Sequence, residues 1–213
     1  MKERHAEWRD SVHSRMGVTC NNCHGGNPGK ESKKAAHEGV YDSMNPKSSV
    51  YYTNIPRLCG RCHKHEFLEF KMSVHYRMLM TKGVGPNCVT CHDAMSTKVL
   101  RPTQLELFCG ICHNTKMSSR PGILNQAKEV LLKMNRISRK VDRTETKLHA
   151  TRARGCKISK AEGFLHLAQH ELIACRQDWH TFKLARIEKR LNGVETLLHE
   201  GLATLPSGWR TIK

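Results

Sequence analysis

From Ile123 onward, apolar residues recur at helical spacing. Ile123, Leu124, Ala127, Val130, Leu131, Met134, Ile137 and Val141 form one stripe, which predicts a long amphipathic helix. Ser119 is placed as its N-cap with Pro121 in the first turn. Arg152, Arg154 and Gly155 mark its end. Ser159-Lys160-Ala161-Glu162 reads as a capping box opening a second helix. The seam of that helix, Leu165, Ala168, Leu172, Cys175, Trp179 and Phe182, alternates three and four residues, as in packed antiparallel helices. The stripe runs on through Ile187, Leu191, Val194 and Leu198 and crosses Gly193 without losing phase, so a continuous or slightly kinked helix is predicted there. No proline lies between Pro121 and Pro206. The expectation for residues 116–213 is a long antiparallel helical hairpin, and the fold class is mainly α.

Composition changes the picture for the remainder. The chain has 213 residues, enough for one ordinary domain or two small ones. Apolar residues make up 38% and aromatics 6%, below the usual apolar share of about 45–50%. A core of side chains alone would be thin. No stretch approaches 18 uncharged apolar residues, which excludes a membrane span within these residues. Met1-Lys2-Glu3-Arg4-His5 is charged and lacks the apolar segment of a signal peptide. The 36 Lys and Arg against 19 Asp and Glu give a formal charge of +17. The unusual counts are 10 Cys, 14 His and 9 Met, residue types that bind metals and cofactors.

Eight of the ten cysteines fall into four pairs: Cys20/Cys23, Cys59/Cys62, Cys88/Cys91 and Cys109/Cys112. Each pair is followed at once by histidine: His24, His63, His92 and His113. Cys-x-x-Cys-His is the attachment signature of c-type haem. Two thiols add to the porphyrin vinyl groups, and the adjacent imidazole becomes the proximal iron ligand. Zinc is the competing reading, because the last two pairs, with 17 residues between them, fit a zinc ribbon. The first two pairs, with 35 residues between them, do not. Histidine after all four pairs by chance has odds of about 2 in 100,000, and a ribbon has no need of it. Four covalently bound haems are therefore expected. They would replace part of the side-chain core, leaving residues 1–115 as a haem-packed module with little regular structure. Their eight propionates would lower the charge to about +9. Attachment of this kind also implies export, to the periplasm or an extracellular or membrane-associated face. A leader, and any membrane anchor with it, would then have been removed.

The haem region repeats. Ser11-Val12-His13-Ser14-Arg15-Met16 precedes Cys20, and Ser73-Val74-His75-Tyr76-Arg77-Met78 precedes Cys88. The second pair in each half also matches, as Cys59-Gly60-Arg61-Cys62-His63 and Cys109-Gly110-Ile111-Cys112-His113. Two dihaem repeats, about 11–65 and 73–115, make a tetrahaem module. His13 and His75 hold equivalent places outside the motifs, and each is expected as a distal iron ligand. His37, in the first variable loop, is a third candidate, and His65 is a weaker one. His5, near the N-terminus, is expected to be solvated.

These features resemble one family. The Ser-x-His tripeptide, the run from Cys23 to Pro28 (Cys-His-Gly-Gly-Asn-Pro) and the alternating Cys-Gly-x-Cys-His pairs are similar to multihaem cytochromes c of the hydroxylamine-oxidoreductase and ammonia-oxidiser tetrahaem group. The resemblance covers about residues 8–115 closely and the helical tail more weakly. It implies bis-histidine haems and a distal histidine three residues after the attachment histidine of the third haem. Met95 stands there instead, in His92-Asp93-Ala94-Met95, so that site is either His/Met or takes its ligand from elsewhere. His180, in Asp178-Trp179-His180-Thr181-Phe182, is the tail's candidate for the remaining axial position or its distal pocket, with the hairpin docking on the haem module. Ile173, Leu184 and Ile187 share its predicted helix face.

The other chemistry in the tail reads as structural. Cys175 sits on the helical seam as a small buried side chain, and Cys156 lies in the turn roughly 20 Å away, beyond disulfide reach. His166 and His170, four apart without a third ligand, are expected to be solvated. So are the cations around Arg136, Arg139 and Lys140. The leading functional expectation is an electron carrier that passes electrons along a chain of haems, not an enzyme. Its basic surface would steer an acidic redox partner, such as a membrane-bound quinol-oxidising or terminal reductase complex. Two alternatives stand. One is a reductase or oxidoreductase with one open-site haem acting on a small nitrogen or sulfur compound. The other is a subunit of a haem-stacked conducting homo-oligomer. A nucleic-acid partner is not expected from the charge alone.

Overall fold

The computed structural model describes residues 2–118 and 120–206. Ser119, the predicted N-cap of the first long helix, lies outside the described residues; the helix starts at Ile123 with Gly122 at its N-cap, so Pro121 precedes the helix and is not in its first turn. Within them all regular structure is helical. The polypeptide divides into two compact units, Met1–Gln104 and Leu105–Lys213, so the fourth Cys-x-x-Cys-His motif folds with the long helices.

The first unit is a succession of one- and two-turn helices: α1 (Lys2–Arg9), α2 (Val12–Arg15), α3 (Cys20–His24), α4 (Lys33–Ala36), α5 (Ile55–Cys59), α6 (Lys64–Lys71), α7 (Val74–Lys82) and α8 (Cys88–His92). Helices of this length are unstable alone. Their support comes from polar side chains reaching across loops. The Trp8 indole donates to the Val18 carbonyl at 2.9 Å, the Tyr52 hydroxyl to the Gly85 carbonyl at 2.6 Å, and the Asn87 amide to the Tyr52 carbonyl at 2.9 Å. Buried apolar side chains are few: Ile55, Pro56, Phe70 and Leu79. Phe67 and Phe70 meet Tyr76 edge-on, with centroids 6.0 and 5.5 Å apart.

The second unit holds α9 (Leu105–Cys109), α10 (Ile123–Ala153), α11 (Ser159–Asp178) and α12 (Leu184–Ala203). The stripe predicted for α10 is buried from Val130 to Val141 and continues through Thr144, Leu148 and Thr151. Both threonines satisfy their hydroxyls on carbonyls one turn back, Thr144 on Lys140 and Thr151 on Lys147, each at 2.8 Å. Gly155, at φ +79, ends this helix with a left-handed residue. The capping box expected at Ser159–Glu162 does not form. The buried Ile158 stands at the N-cap position, with no side-chain cap bond, and the Glu162 carboxylate is taken by Arg152.

The larger correction is to the hairpin. The second predicted helix is broken by a 3-10 turn at Trp179–Thr181 and by Phe182, whose φ of 57 is left-handed. The chain then reverses, and α12 packs along α11, so α10, α11 and α12 form a three-helix bundle. Each helix buries its own stripe in one core, which includes Leu165, Ala168, Leu172, Cys175, Ile187, Leu191, Val194 and Leu198. The apolar phase therefore runs on across a point where the chain turns. α11 and α12 approach closely at Gly201, where a Cβ would stand 2.7 Å from Phe164 Cβ.

Candidate haem and iron-ligand site

All four attachment motifs fold as a helical turn, by two routes that follow the repeat. In the first motif of each half the motif is itself the helix. α3 is opened by Thr19, whose N–H donates to Asn22 Oδ1 at 2.7 Å. α8 is opened by Asn87, whose N–H donates to Thr90 Oγ1 at 3.1 Å. In the second motif of each half, α5 and α9 end on the first cysteine and one further turn carries the rest. His63 N–H donates to the Cys59 carbonyl at 2.9 Å, and His113 N–H to the Cys109 carbonyl at 2.8 Å. Residues i, i+3 and i+4 of one turn share a face, so both thiols and the imidazole of each motif are offered to the same side. None of the ten cysteines is in a disulfide.

Three motifs are brought together in the first unit. α5 packs on α8, and the Cys59 and Cys88 thiols share a hydrogen bond that holds Cys59 below its ordinary pKa and pushes Cys88 above it. Burial, with the nearby Cys59 sulfur, raises the Cys23 thiol. The Cys23 carbonyl also accepts the Ser49 hydroxyl. Cys59 therefore stands near both Cys23 and Cys88. The fourth motif lies in the second unit, where burial raises the Cys109 thiol.

In the third motif the Cys91 carbonyl accepts the Leu100 N–H at 2.9 Å, which fastens the segment after the motif back onto α8.

The predicted distal residues are built by equivalent local structure. Ser11 and Ser73 are nearly buried N-caps. Ser11 Oγ accepts Ser14 N–H at 3.3 Å, and Ser73 Oγ accepts Tyr76 N–H at 3.0 Å. Each fixes its histidine, His13 or His75, at the second position of the helix that follows. His13 comes to face His63, with ring centroids 6.1 Å apart. Burial, and then the neighbouring His63, lowers its pKa. Two imidazoles on opposite sides of one metal, at about 2 Å per metal–nitrogen bond, have centroids roughly 6 Å apart.

His37 caps α4, and its Nδ1–H donates to the Lys33 carbonyl at 2.8 Å, which leaves the lone pair on Nε2. The loop that carries it is pinned beside the first motif. Asn27 N–H donates to the Ala36 carbonyl at 2.9 Å, and a Cβ at Gly26 would stand 2.5 Å from that oxygen. Met95 is half-buried in a turn held by Asp93, whose carboxylate accepts the Ser96 hydroxyl at 2.6 Å and the Met95 N–H at 3.4 Å. His65 is exposed on α6. His5 is exposed on α1 and lies tilted against Trp8, with ring centroids 5.4 Å apart. His180 sits in the α11–α12 turn and not on a continuous helix; it is half-buried, with Nδ1–H donating to the Gln177 carbonyl at 3.0 Å. The serine caps were legible only as part of a repeated tripeptide, and nothing in the sequence marked the role of Asp93.

Among the described residues no three His, Cys, Asp or Glu side chains converge to hold a metal ion. Each attachment turn offers two thiols and one imidazole, the set that covalently held haem would use. The apolar surface agrees. Of nineteen exposed large hydrophobic side chains among the described residues, sixteen lie between Val12 and Met117, the segment that carries the motifs. They include Met16, Val74, Leu107 and Ile111. Side chains of this kind offer contact to a large apolar body. Among the described residues no helix is long and apolar enough to cross a membrane. The chain matches no protein-family model, no curated protein and no solved structure.

Proposed function

We propose that this protein is an electron-transfer cytochrome that carries four covalently attached haems. The carrying observation is the adjacency of the first three attachment turns, with Cys59 near both Cys23 and Cys88. Covalently held haem supplies a one-electron couple at its iron. The chain's own part is attachment through Cys20 and Cys23, Cys59 and Cys62, Cys88 and Cys91, and Cys109 and Cys112, with His24, His63, His92 and His113 as proximal ligands. His13 is assigned across from His63 at the second haem, on the 6.1 Å spacing of the two rings. His75 and His37 are assigned as distal ligands of two further haems. Met95 is the alternative ligand where a histidine is lacking. It would raise the potential of that haem relative to a bis-histidine site. Carriage without substrate chemistry needs every iron closed by two side chains, and adjacency gives the electron its path. The residual positive charge suits an acidic redox partner.

Thiol accounting separates this reading from its rivals. Native protein treated with an alkylating agent should label Cys156 alone. Cys175, fully buried and with its thiol pushed up to about 11 by burial, stays protonated and inert and should label only after denaturation. The result is one labelled thiol, then two, by mass. Ten labelled thiols after denaturation with a chelator would point to zinc instead and overturn the proposal.

A further inference from the structure

The segment from Ser48 to Asn54 reaches all three attachment turns of the first unit. The Ser49 hydroxyl donates to the Cys23 carbonyl in the first. The Asn54 carbonyl accepts the Leu58 N–H at 3.0 Å and so opens α5, which carries Cys59. Tyr52 meets the lead-in of the third turn twice. Its hydroxyl donates to the Gly85 carbonyl at 2.6 Å, and its carbonyl accepts the Asn87 side-chain amide at 2.9 Å. Asn87, only 3% exposed, is the N-cap of α8, and its Oδ1 accepts the Val89 N–H at 3.1 Å. Gly85 lies against the backbone of His75, because a Cβ there would stand 3.1 Å from the His75 carbonyl oxygen. The segment is itself braced. The hydroxyl of buried Ser48 donates to the Tyr41 carbonyl at 3.2 Å. The Asn54 amide donates to the Pro46 and Ser48 carbonyls at 2.9 and 2.8 Å.

These bonds join distant parts of the chain, 26 residues apart for Cys23 and Ser49 and 35 for Tyr52 and Asn87. They therefore serve the placement of the turns and not local loop structure. The unit has little else to place them with, since its buried apolar side chains are Ile55, Pro56, Phe70 and Leu79. Cys23 belongs to a helix of five residues, whose last carbonyls have no partner inside the helix, and the Ser49 hydroxyl supplies one. Each contact ends on the backbone or the cap of a turn, so it acts on where the turn stands and not on the haem-binding groups themselves. Interaction between charged centres falls with distance, and a site is only as precise as the bonds that support it. Resting on the electron-carrier reading, we infer that Ser49 and Tyr52 are positioning residues that set the haems of the first unit against one another. Ser49 holds the first turn against the second. Tyr52 holds the third against the second, acting through Gly85 and Asn87.

The test uses the full haem-loaded chain and reads two quantities, the midpoint potential of each haem and the Soret circular dichroism couplet that neighbouring haems produce. Ser49→Ala should weaken the couplet several-fold and shift two of the four potentials, with all four haems attached and the spin state unchanged. Ser49→Thr keeps the hydroxyl and should return both quantities to wild type. Tyr52→Phe, which removes only the bond to Gly85, should also shift two potentials. One shifted potential should be common to both variants, because the second haem is the shared neighbour. One should stay unshifted in both, because the fourth motif folds in the other unit. Wild-type potentials and couplet in Ser49→Ala and Tyr52→Phe would overturn the positioning role. All four potentials moving together would mark general loosening and overturn it equally. Haem content is read by mass on the same samples, so wild-type protein with fewer than four haems would count against the electron-carrier reading, whereas four haems with unmoved potentials would count against this segment alone.

Discussion

Replacing Cys59 and Cys62 together by alanine should release one haem of four and unfold much of the first unit. The reason is position. Cys59 meets both the first and the third motifs, hydrogen-bonded to the Cys88 thiol and beside Cys23. The unit around it buries only Ile55, Pro56, Phe70 and Leu79 as apolar support. A porphyrin that covers even about 200 Å² of apolar surface contributes roughly 5 kcal/mol at the usual coefficient, which is comparable with the whole stability of a small domain. Hydrogen exchange read separately for residues 2–104 and 120–206 should show protection lost in the first range and kept in the second. The second range has its own core, from Val130 to Leu205. Unchanged protection in the first range would show that the haem at Cys59 and Cys62 is not what holds that unit.

His13→Ala should open the second haem. The His13 and His63 rings stand at ligand spacing, 6.1 Å between centroids, and the Ser11 cap fixes the helix turn that presents His13. Loss of the imidazole should convert one of four haems from low-spin to high-spin in the ferric spectrum, with all four still attached. Replacing exposed His65 by alanine should leave the spectrum unchanged. An unaltered spin state in His13→Ala would refute the pairing with His63.

What the sequence disclosed followed from where its signals are local. The attachment motifs are contiguous five-residue turns, so their spacing alone displays both thiols and the imidazole. The repeat of Ser-x-His could be read because the same N-cap serves both halves, with Ser11 and Ser73 each accepting an amide three residues on. The helical stripe from Val130 to Val141 was legible because each buried position is local to one helix. The break at residues 179–183 was not. It contains neither glycine nor proline, and its apolar phase continues because α11 and α12 face one core. What turns the chain is a set of long-range bonds, Asp178 to Arg186 and Arg190, whose partners are separated in sequence and carry no local signature. For the same reason spacing placed His180 on a helix face, when it stands in the turn that those bonds hold. The meeting of Cys59 with Cys88 likewise depends on the packing of α5 against α8, which no periodicity encodes. Spacing could pair Cys88 with Cys91, one turn apart on α8, but not reveal that Cys88 also meets a thiol of another motif.

The central claim is that this chain carries haem covalently, and intact mass under denaturing conditions tests it most directly. The account predicts a single species heavier than the polypeptide by four haems, which persists when acid and organic solvent strip every non-covalent ligand. A polypeptide mass with no haem, whether or not zinc is released in the process, would contradict it.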